Sequence, residues 1–227
     1  NVIVGVLEKE CNELNKRFFT FHKKKRPYII LKWAESKDGF LAPEKEISQD
    51  RKPVWITNLH SRQLVHKWRS EEQAILVGTQ TVIDDNPKLN VRDWTGNNPV
   101  RVVLDQNNRI SKDSFIFDDT VKTIVFTKSE ISISAENTTF EVIDFSQNII
   151  PQILEVLYQN QIQSIIIEGG LQTLQTFIGQ NIWDEARVFT GKKTTFGKGT
   201  KAPILSGKIS AKINIESDEL IQIRNHD

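Results

Sequence analysis

Two segments of this chain set polar groups suited to a ligand directly after patterns of buried strand. Ala74 to Arg92 reads A-I-L-V-G-T-Q-T-V-I-D-D-N-P-K-L-N-V-R. Ala74 to Val77 is a continuous apolar run of the kind expected for a strand covered on both faces, and Gly78-Thr79 breaks it and opens a helical turn. The first N–H groups of a helix have no partner within it and sit at the positive end of its dipole, so such a turn suits a phosphate or a carboxylate. An ordinary strand-to-helix connection has the same signature. The second segment repeats the design: Ser164 to Ile167 is a short apolar strand, Glu168-Gly169-Gly170 follows, and L-Q-T-L-Q-T-F-I then carries Leu171, Leu174 and Ile178 at helical spacing. Paired glycines remove the Cβ atoms that hold a pyrophosphate away from the backbone. The segment matches neither G-x-G-x-x-G nor G-x-x-x-x-G-K-[ST], so a standard Rossmann fingerprint and a P-loop are both missing from it.

The elements that would position these groups alternate between strand and helix. Tyr28 to Ala34 reads as a strand, Asn58 to Glu72 as a helix carrying Leu64, Val65 and Trp68, and Ala74 to Val77 and Val100 to Leu104 as strands. Strands follow at Lys122 to Phe126 and Phe140 to Ile143, then a helix at Ile149 to Gln159, then the Ser164 strand and its helix. After Trp183 the rhythm changes to a strand at Glu185 to Thr190, a Gly/Lys/Thr-rich loop, and two late strands near Ala211 to Glu216 and Glu219 to Arg224, which suits an antiparallel ending. Ahead of all this, Leu7, Cys11, Leu14 and Phe18 form one apolar stripe and predict a single short amphipathic helix. The basic run His22 to Arg26 reads as a solvated linker, because it is short and lacks the aromatic residues that stack bases.

Composition limits the partners. With 227 residues, 38% hydrophobic and 26% charged, the chain can bury the core of one large domain or of a domain plus an appendage. A net charge of +1 argues against a protein specialised for nucleic acid or an anionic membrane, and no apolar run approaches the roughly 20 residues that span a bilayer. Cys11 is the only cysteine, so the chain has no internal disulfide and no Cys-rich zinc site, and the cytoplasm is the natural compartment. The chain starts at Asn1 and contains no Met, which reads as a piece of a longer protein.

Five motifs together carry a family resemblance. Lys32-Trp33-Ala34-Glu35-Ser36-Lys37-Asp38-Gly39, Trp55-Ile56-Thr57, the Ala74 to Arg92 run, Arg101-Val102-Val103-Leu104-Asp105 and Ile166-Ile167-Glu168-Gly169-Gly170 resemble, in order and spacing, the reductase domain of riboflavin biosynthesis enzymes. The resemblance implies an α/β, dihydrofolate-reductase-like fold with a mostly parallel central sheet flanked by helices. It implies NADPH as cofactor and the reduction of 5-amino-6-(5-phosphoribosylamino)uracil to the ribitylamino compound, a hydride transfer in which orientation and charge stabilisation matter more than covalent catalysis. In bifunctional members the partner domain is a zinc deaminase. Residues 1–25 would then be the C-terminal remnant of that domain with a linker, and 26–227 the reductase. The H-x-E and P-C-x-x-C zinc motifs do not occur here, so this polypeptide is not itself expected to deaminate or to hold a metal.

By the same resemblance Ala34, Trp55, Thr81, Asp85, Gln106, Gly169, Gly170, Thr173 and the turn and helix to Thr176 face the cofactor. Arg69, Leu89 and Arg92 lie on the substrate side, where two guanidinium groups would grip a terminal phosphate. Glu168, Lys32 and Asp85 are the catalytic candidates: Glu168 to orient hydroxyls or move a proton, Lys32 to bind a substrate oxygen. Asp38-Gly39 reads as a turn. Two positions depart from the family pattern. Pro53 stands where a Ser commonly contacts the phosphate, leaving Lys52 or Arg51 to compensate, and Gln106 stands where a cofactor-side Ser is common, with Arg109 available to a 2′-phosphate. Family members commonly pair as homodimers. A same-fold reductase of another pyrimidine or pterin, and a catalytically silent nucleotide-binding module, fit the same residues.

Overall fold

The apolar runs become the strands of one sheet. In a computed structural model that describes residues 2–44, 54–130 and 136–226, the elements in chain order are α1 (Glu8–Leu14), α2 (Lys16–Lys24), β1 (Tyr28–Ser36), β2 (Phe40–Pro43), α3 (Leu59–Glu71), β3 (Ala74–Gly78), α4 (Thr79–Asp85), β4 (Val100–Leu104), β5 (Thr123–Thr127), β6 (Thr138–Val142), α5 (Ile149–Gln159), β7 (Ser164–Ile167), α6 (Leu171–Gly179), β8 (Glu185–Gly191), β9 (Gly199–Lys201), β10 (Lys208–Ile215) and β11 (Asp218–Arg224). Arg51, Lys52 and Pro53 lie outside the described residues.

Among the described residues the main sheet has nine strands in the order β10-β11-β8-β1-β7-β3-β4-β5-β6, and β2 and β9 form a separate antiparallel pair. All neighbours from β8 to β6 run parallel, and β10 and β11 add the antiparallel ending. The fold expected from the sequence is therefore the one observed. Alternation along each strand splits the core in two. Ile29, Leu31 and Trp33 of β1 and Ile165 and Ile167 of β7 face α5 and α6, whereas Ile75 and Val77 of β3 pack against Val82 of α4, and Ile166 against Val65 and Trp68 of α3. Helices thus cover both faces, which is why the central strands are apolar on both sides. Local chemistry fixes where two helices begin: Asn58 caps α3 by accepting from Ser61 N, and Asn148 caps α5 by accepting from Ile150 N.

The chain leaves β3 toward β4 on one side and leaves β7 toward β8 on the other, although β3 and β7 are neighbours. Diverging connections open a crevice at the carboxyl ends of such a strand pair. Both sequence segments singled out above end there.

The N-terminal region differs from expectation. The single helix is two, broken at Asn15, whose side chain donates to the Cys11 carbonyl at 2.9 Å and whose own carbonyl accepts from Phe19 N. Leu7, Cys11 and Leu14 face outward, while Phe21 is buried and stacks 4.6 Å from Tyr158. The basic run is solvent-exposed from His22 to Lys25, as expected, but His22 to Lys24 finish α2 and Arg26 pairs with Asp184 through two nitrogens at 2.5 and 2.8 Å. Three more ion pairs fasten the segment to the edge of the sheet where the parallel strands begin and the antiparallel β11 ends. Arg224 donates to Glu13 at 2.6 Å, Lys16 to Glu185 at 2.8 Å, and Arg17 to Glu72 through both Nε and Nη2. Arg187 lies between the two buried carboxylates, 2.7 Å from Glu185 and 3.5 Å from Glu72.

Candidate functional site

Three elements deliver three charges to one buried point. Lys32 projects from β1 on the face opposite Leu31 and Trp33, Arg69 comes from the last turn of α3, and Glu168 is the first residue beyond β7, held there by its N–H donating to the Leu76 carbonyl of β3. Arg69 Nη2 donates to Glu168 Oε2 at 2.8 Å, and Lys32 Nζ stands 3.8 Å from Oε1, an ion pair but too long for a hydrogen bond. Glu168 Oε1 and Arg69 Nε are buried without a hydrogen-bond partner among the described residues. Buried polar atoms are rarely left so, and a buried carboxylate oxygen and a guanidinium N–H left open side by side suit a hydroxyl-bearing ligand.

The electrostatics separate the roles of the pair. Burial works to raise Glu168, but Arg69 and Lys32 overcome it and hold the carboxyl at about 2, so it is ionised at neutral pH and acts as an acceptor. Burial lowers Lys32, attraction to Glu168 opposes this and Arg69 adds repulsion, leaving its proton more loosely held than an ordinary ammonium's. Lys32 is therefore the better proton donor of the two.

Beside this cluster the starts of α4 and α6 interlock. Gly170, the N-cap of α6, donates its N–H to Thr81 Oγ1 at 3.0 Å. A Cβ on Gly78 would lie 2.7 Å from Thr173 Oγ1, and one on Gly169 would lie 2.7 Å from Thr173 Cβ. These two glycines therefore make room for Thr173, whereas a Cβ on Gly170 would meet only Thr81 Oγ1, at 3.5 Å. Of the glycine pair only Gly170 is open to a ligand.

The Leu89 to Arg92 segment closes the site. Leu89, at a positive φ of 50°, buries its side chain with Ile75, Val77 and Val82, so that side chain belongs to the core. Asn90 next to it serves both arginines: its carbonyl accepts from Arg69 Nη1 at 3.3 Å and its Oδ1 from Arg92 Nη1 at 3.1 Å. Arg92 N donates in turn to His66 Nδ1 at 3.2 Å. Neither His66 nor Asn90 figures in the sequence reading. The signal for His66 was its place three residues before Arg69, on the same helix face, and for Asn90 its position between Leu89 and Arg92.

The remaining expected site residues lie further out. Ala34 shares the face of Lys32 on β1, and Trp55 is exposed with the Arg62 guanidinium 4.2 Å over its ring. Asp85 closes α4 on its exposed side. Gln106 lines an open cleft of about 470 Å³ with Lys128 and Val142 to Ser146, while Arg109 turns to Gln80, 3.4 Å away. Asp38-Gly39 is the expected turn, with Gly39 at a φ of 81° and the Asp38 carboxylate accepting from the N–H groups of Phe196 and Gly197.

Residues 27–225 match the RibD C-terminal domain family. The riboflavin biosynthesis protein RibD of Aquifex aeolicus is 37% identical over 196 residues, covering 85% of this chain and 54% of that protein. A 2,5-diamino-6-ribosylamino-4(3H)-pyrimidinone 5′-phosphate reductase from Archaeoglobus fulgidus is 28% identical and is covered over 94% of its length. The crystal structure of a diaminohydroxyphosphoribosylaminopyrimidine deaminase/5-amino-6-(5-phosphoribosylamino)uracil reductase from Thermotoga maritima superposes with a TM-score of 0.85 at 33% identity, over 98% of this chain and 63% of that one. In fold alone the likeness extends to a dihydrofolate reductase from Enterococcus faecalis, at a TM-score of 0.51 and 15% identity. The chain spans about half the length of most of the curated relatives it matches.

Proposed function

Because this chain belongs to the RibD C-terminal domain family, we propose that it is a reductase of riboflavin biosynthesis, converting 5-amino-6-(5-phosphoribosylamino)uracil to 5-amino-6-(5-phosphoribitylamino)uracil with NADPH. The observation that carries this reading is the buried Lys32–Glu168–Arg69 cluster, with one carboxylate oxygen unsatisfied, at the crevice between β3 and β7.

A nicotinamide dinucleotide fits the residues at hand. The first turn of α6 has no side-chain cap, because its N-cap is Gly170, and with no Cβ at that position the N–H groups that follow it are open to an anion, which suits the pyrophosphate. Gly169, Thr173 and Thr81 shape that turn, and Ala34, Trp55, Asp85 and Gln106 are assigned to the rest of the cofactor by family resemblance. When bound, NADPH supplies a hydride to the anomeric carbon of the substrate.

The protein's own contribution is to open and orient the sugar. Glu168, ionised, accepts hydrogen bonds from sugar hydroxyls through its open Oε1. Lys32 gives its loosened proton to the ring oxygen as the sugar opens, and burial makes the neutral amine that remains less costly than it would be in water. Arg69 and Arg92, both bonded to Asn90, hold the terminal phosphate by charge-assisted hydrogen bonds. Asp85 completes the catalytic set by resemblance. We further assign residues 1–25 to the end of a preceding deaminase domain and its linker. The exposed Ile209 and Ile213 on edge strand β10 are assigned to a homodimer contact, and the cytoplasm to the site of action.

The test is NADPH absorbance decay with freshly generated substrate and identification of the product, run beside NADH, the 2,5-diamino pyrimidinone named for the archaeal relative, and a Glu168→Gln variant. Ribitylamino product formed with NADPH, and strongly reduced by Glu168→Gln, is the expected result. Binding of NADPH without turnover of either pyrimidine would overturn the assignment in favour of a silent nucleotide-binding module.

A further inference from the structure

The loop that follows Leu89 returns over the outer face of α3 and is fastened to it turn by turn. Arg92 N donates to His66 Nδ1 at 3.2 Å, Lys67 Nζ sits 5.7 Å from the Trp94 ring, and Gly96, at a φ of 150°, lies so close to Ser70 that a Cβ would stand 2.5 Å from the Ser70 Cβ. Val91 N closes the loop on itself by donating to Asn98 Oδ1 at 2.8 Å. His66 is the anchor nearest the site. It is 4% exposed, one turn of α3 ahead of Arg69, and it accepts the backbone N–H of the residue whose guanidinium holds Asn90.

We propose that His66 is a positioning residue: its neutral imidazole, accepting at Nδ1, fixes the Asn90–Asp93 segment and so sets the spacing of the Arg69 and Arg92 guanidinium groups that receive the phosphate. This rests on the substrate-side role given to the two arginines above. Because Nδ1 accepts, the ring proton sits on Nε2, which faces Asp93 Oδ2 at 3.4 Å, so the tautomer and the ring orientation are both determined. The groups facing the ring are Arg69 from its own helix, Arg92 and Asp93 from the loop and Glu168 from the end of β7. Burial, then Arg69 and Arg92, hold the imidazole at about 4, so it remains an acceptor through the neutral range. A proton on Nδ1 would set a donor against the Arg92 N–H and a third positive charge beside two arginines, and the segment would shift.

Two side chains separate this role from mere support of the helix. Asn at position 66 presents Oδ1 where Nδ1 stood, whereas Gln presents its polar atoms nearer the place of Nε2. His66→Ala and His66→Gln are expected to raise the Michaelis constant for the phosphorylated pyrimidine by about tenfold, with kcat within about twofold, and His66→Asn to restore it to within about threefold of the parent. In the parent that constant should rise as pH falls toward 4, and it should rise by less in His66→Asn. Titration of ribose 5-phosphate, followed on the Arg92 amide by NMR, should show the same order of affinities and does not depend on reductase turnover. Side-chain nitrogen shifts of His66 should show Nε2 protonated and Nδ1 free of a proton. If the parent binds ribose 5-phosphate but reduces neither pyrimidine, the assigned reaction fails while the positioning role stands. The positioning role is overturned if Ala and Asn variants bind the sugar phosphate equally, if kcat and melting temperature fall in parallel in all three variants, or if His66 carries its proton on Nδ1.

Discussion

Removing one guanidinium at the base of the sheet should cost this protein a measurable fraction of its stability. Arg17 donates through both Nε and Nη2 to Glu72, whose side chain has no exposure. Among the described residues the only other cation on that carboxylate is Arg187, 3.5 Å away and already bonded to Glu185 at 2.7 Å. Orphaning a buried ion costs about 3–5 kcal/mol, but Arg187 remains and water can enter where Arg17 lay, so Arg17→Ala is expected to cost about 2–3 kcal/mol. For a chain of this size that lowers the melting temperature by roughly 5–10 °C. The assay is urea unfolding followed by tryptophan fluorescence, completed as a double-mutant cycle with Glu72→Gln. With the charge gone, the same Arg17→Ala step should cost about 1 kcal/mol or less, giving a coupling of about 1.5 kcal/mol. Arg17→Met, which keeps the alkyl stem that carries the guanidinium 5.8 Å from the Tyr28 ring, separates packing from charge. A cost for Arg17→Ala below about 0.5 kcal/mol, or strictly additive single mutants, would refute the claim that residues before the family boundary are part of the folded body.

Three further outcomes are expected. Gly169→Ala forces a Cβ to within 2.7 Å of Thr173 and should destabilise the fold by about 1–3 kcal/mol, whereas Gly170→Ala, with its nearest neighbour at 3.5 Å, should melt normally and bind NADPH more weakly; calorimetry on both variants checks the contrast. His66 is held at about 4 in the folded chain against an ordinary 6.5, so the unfolded chain binds the extra proton between these values and stability falls as pH drops from 6.5 toward 4; a plot of the urea midpoint against pH should lose this slope in His66→Asn. Glu168→Gln should lower kcat/KM by about 100-fold or more while leaving Lys32 and Arg69 without their anion, and a variant with near-parent activity would exclude the carboxylate from the reaction.

The sheet was readable because its central strands are buried on both faces, so Ala74–Gly78 and Ser164–Ile167 stand out as apolar runs, and Val100–Leu104 as one interrupted only by Arg101. The β2–β9 pair was not, since Phe40–Pro43 and Gly199–Lys201 are short and pair across most of the chain. The stripe at Leu7, Cys11, Leu14 and Phe18 has helical spacing, yet what holds that region is charge, and its partners Glu72, Asp184, Glu185 and Arg224 lie on distant elements that periodicity cannot connect. Within the site, Lys32, Arg69 and Glu168 announced themselves by residue type and family resemblance. Leu89 did not betray that a positive φ turns its side chain into the core, and His66 looked like one more helix residue because its role is set by a loop folding back on α3.

The place of β7 in the sheet also dictates when the site can exist. Tyr28 pairs with Ser164 and Ala74 with Ile165, so the two halves of the early sheet are joined only when a strand made late in synthesis slides between them. Until then Lys32 and Arg69 have no carboxylate between them, and every route to burying them without Glu168 is penalised by two unneutralised cations. Strand insertion and charge neutralisation are therefore one event. A chain with such long-range pairing folds slowly, but it cannot finish its sheet with a half-built site.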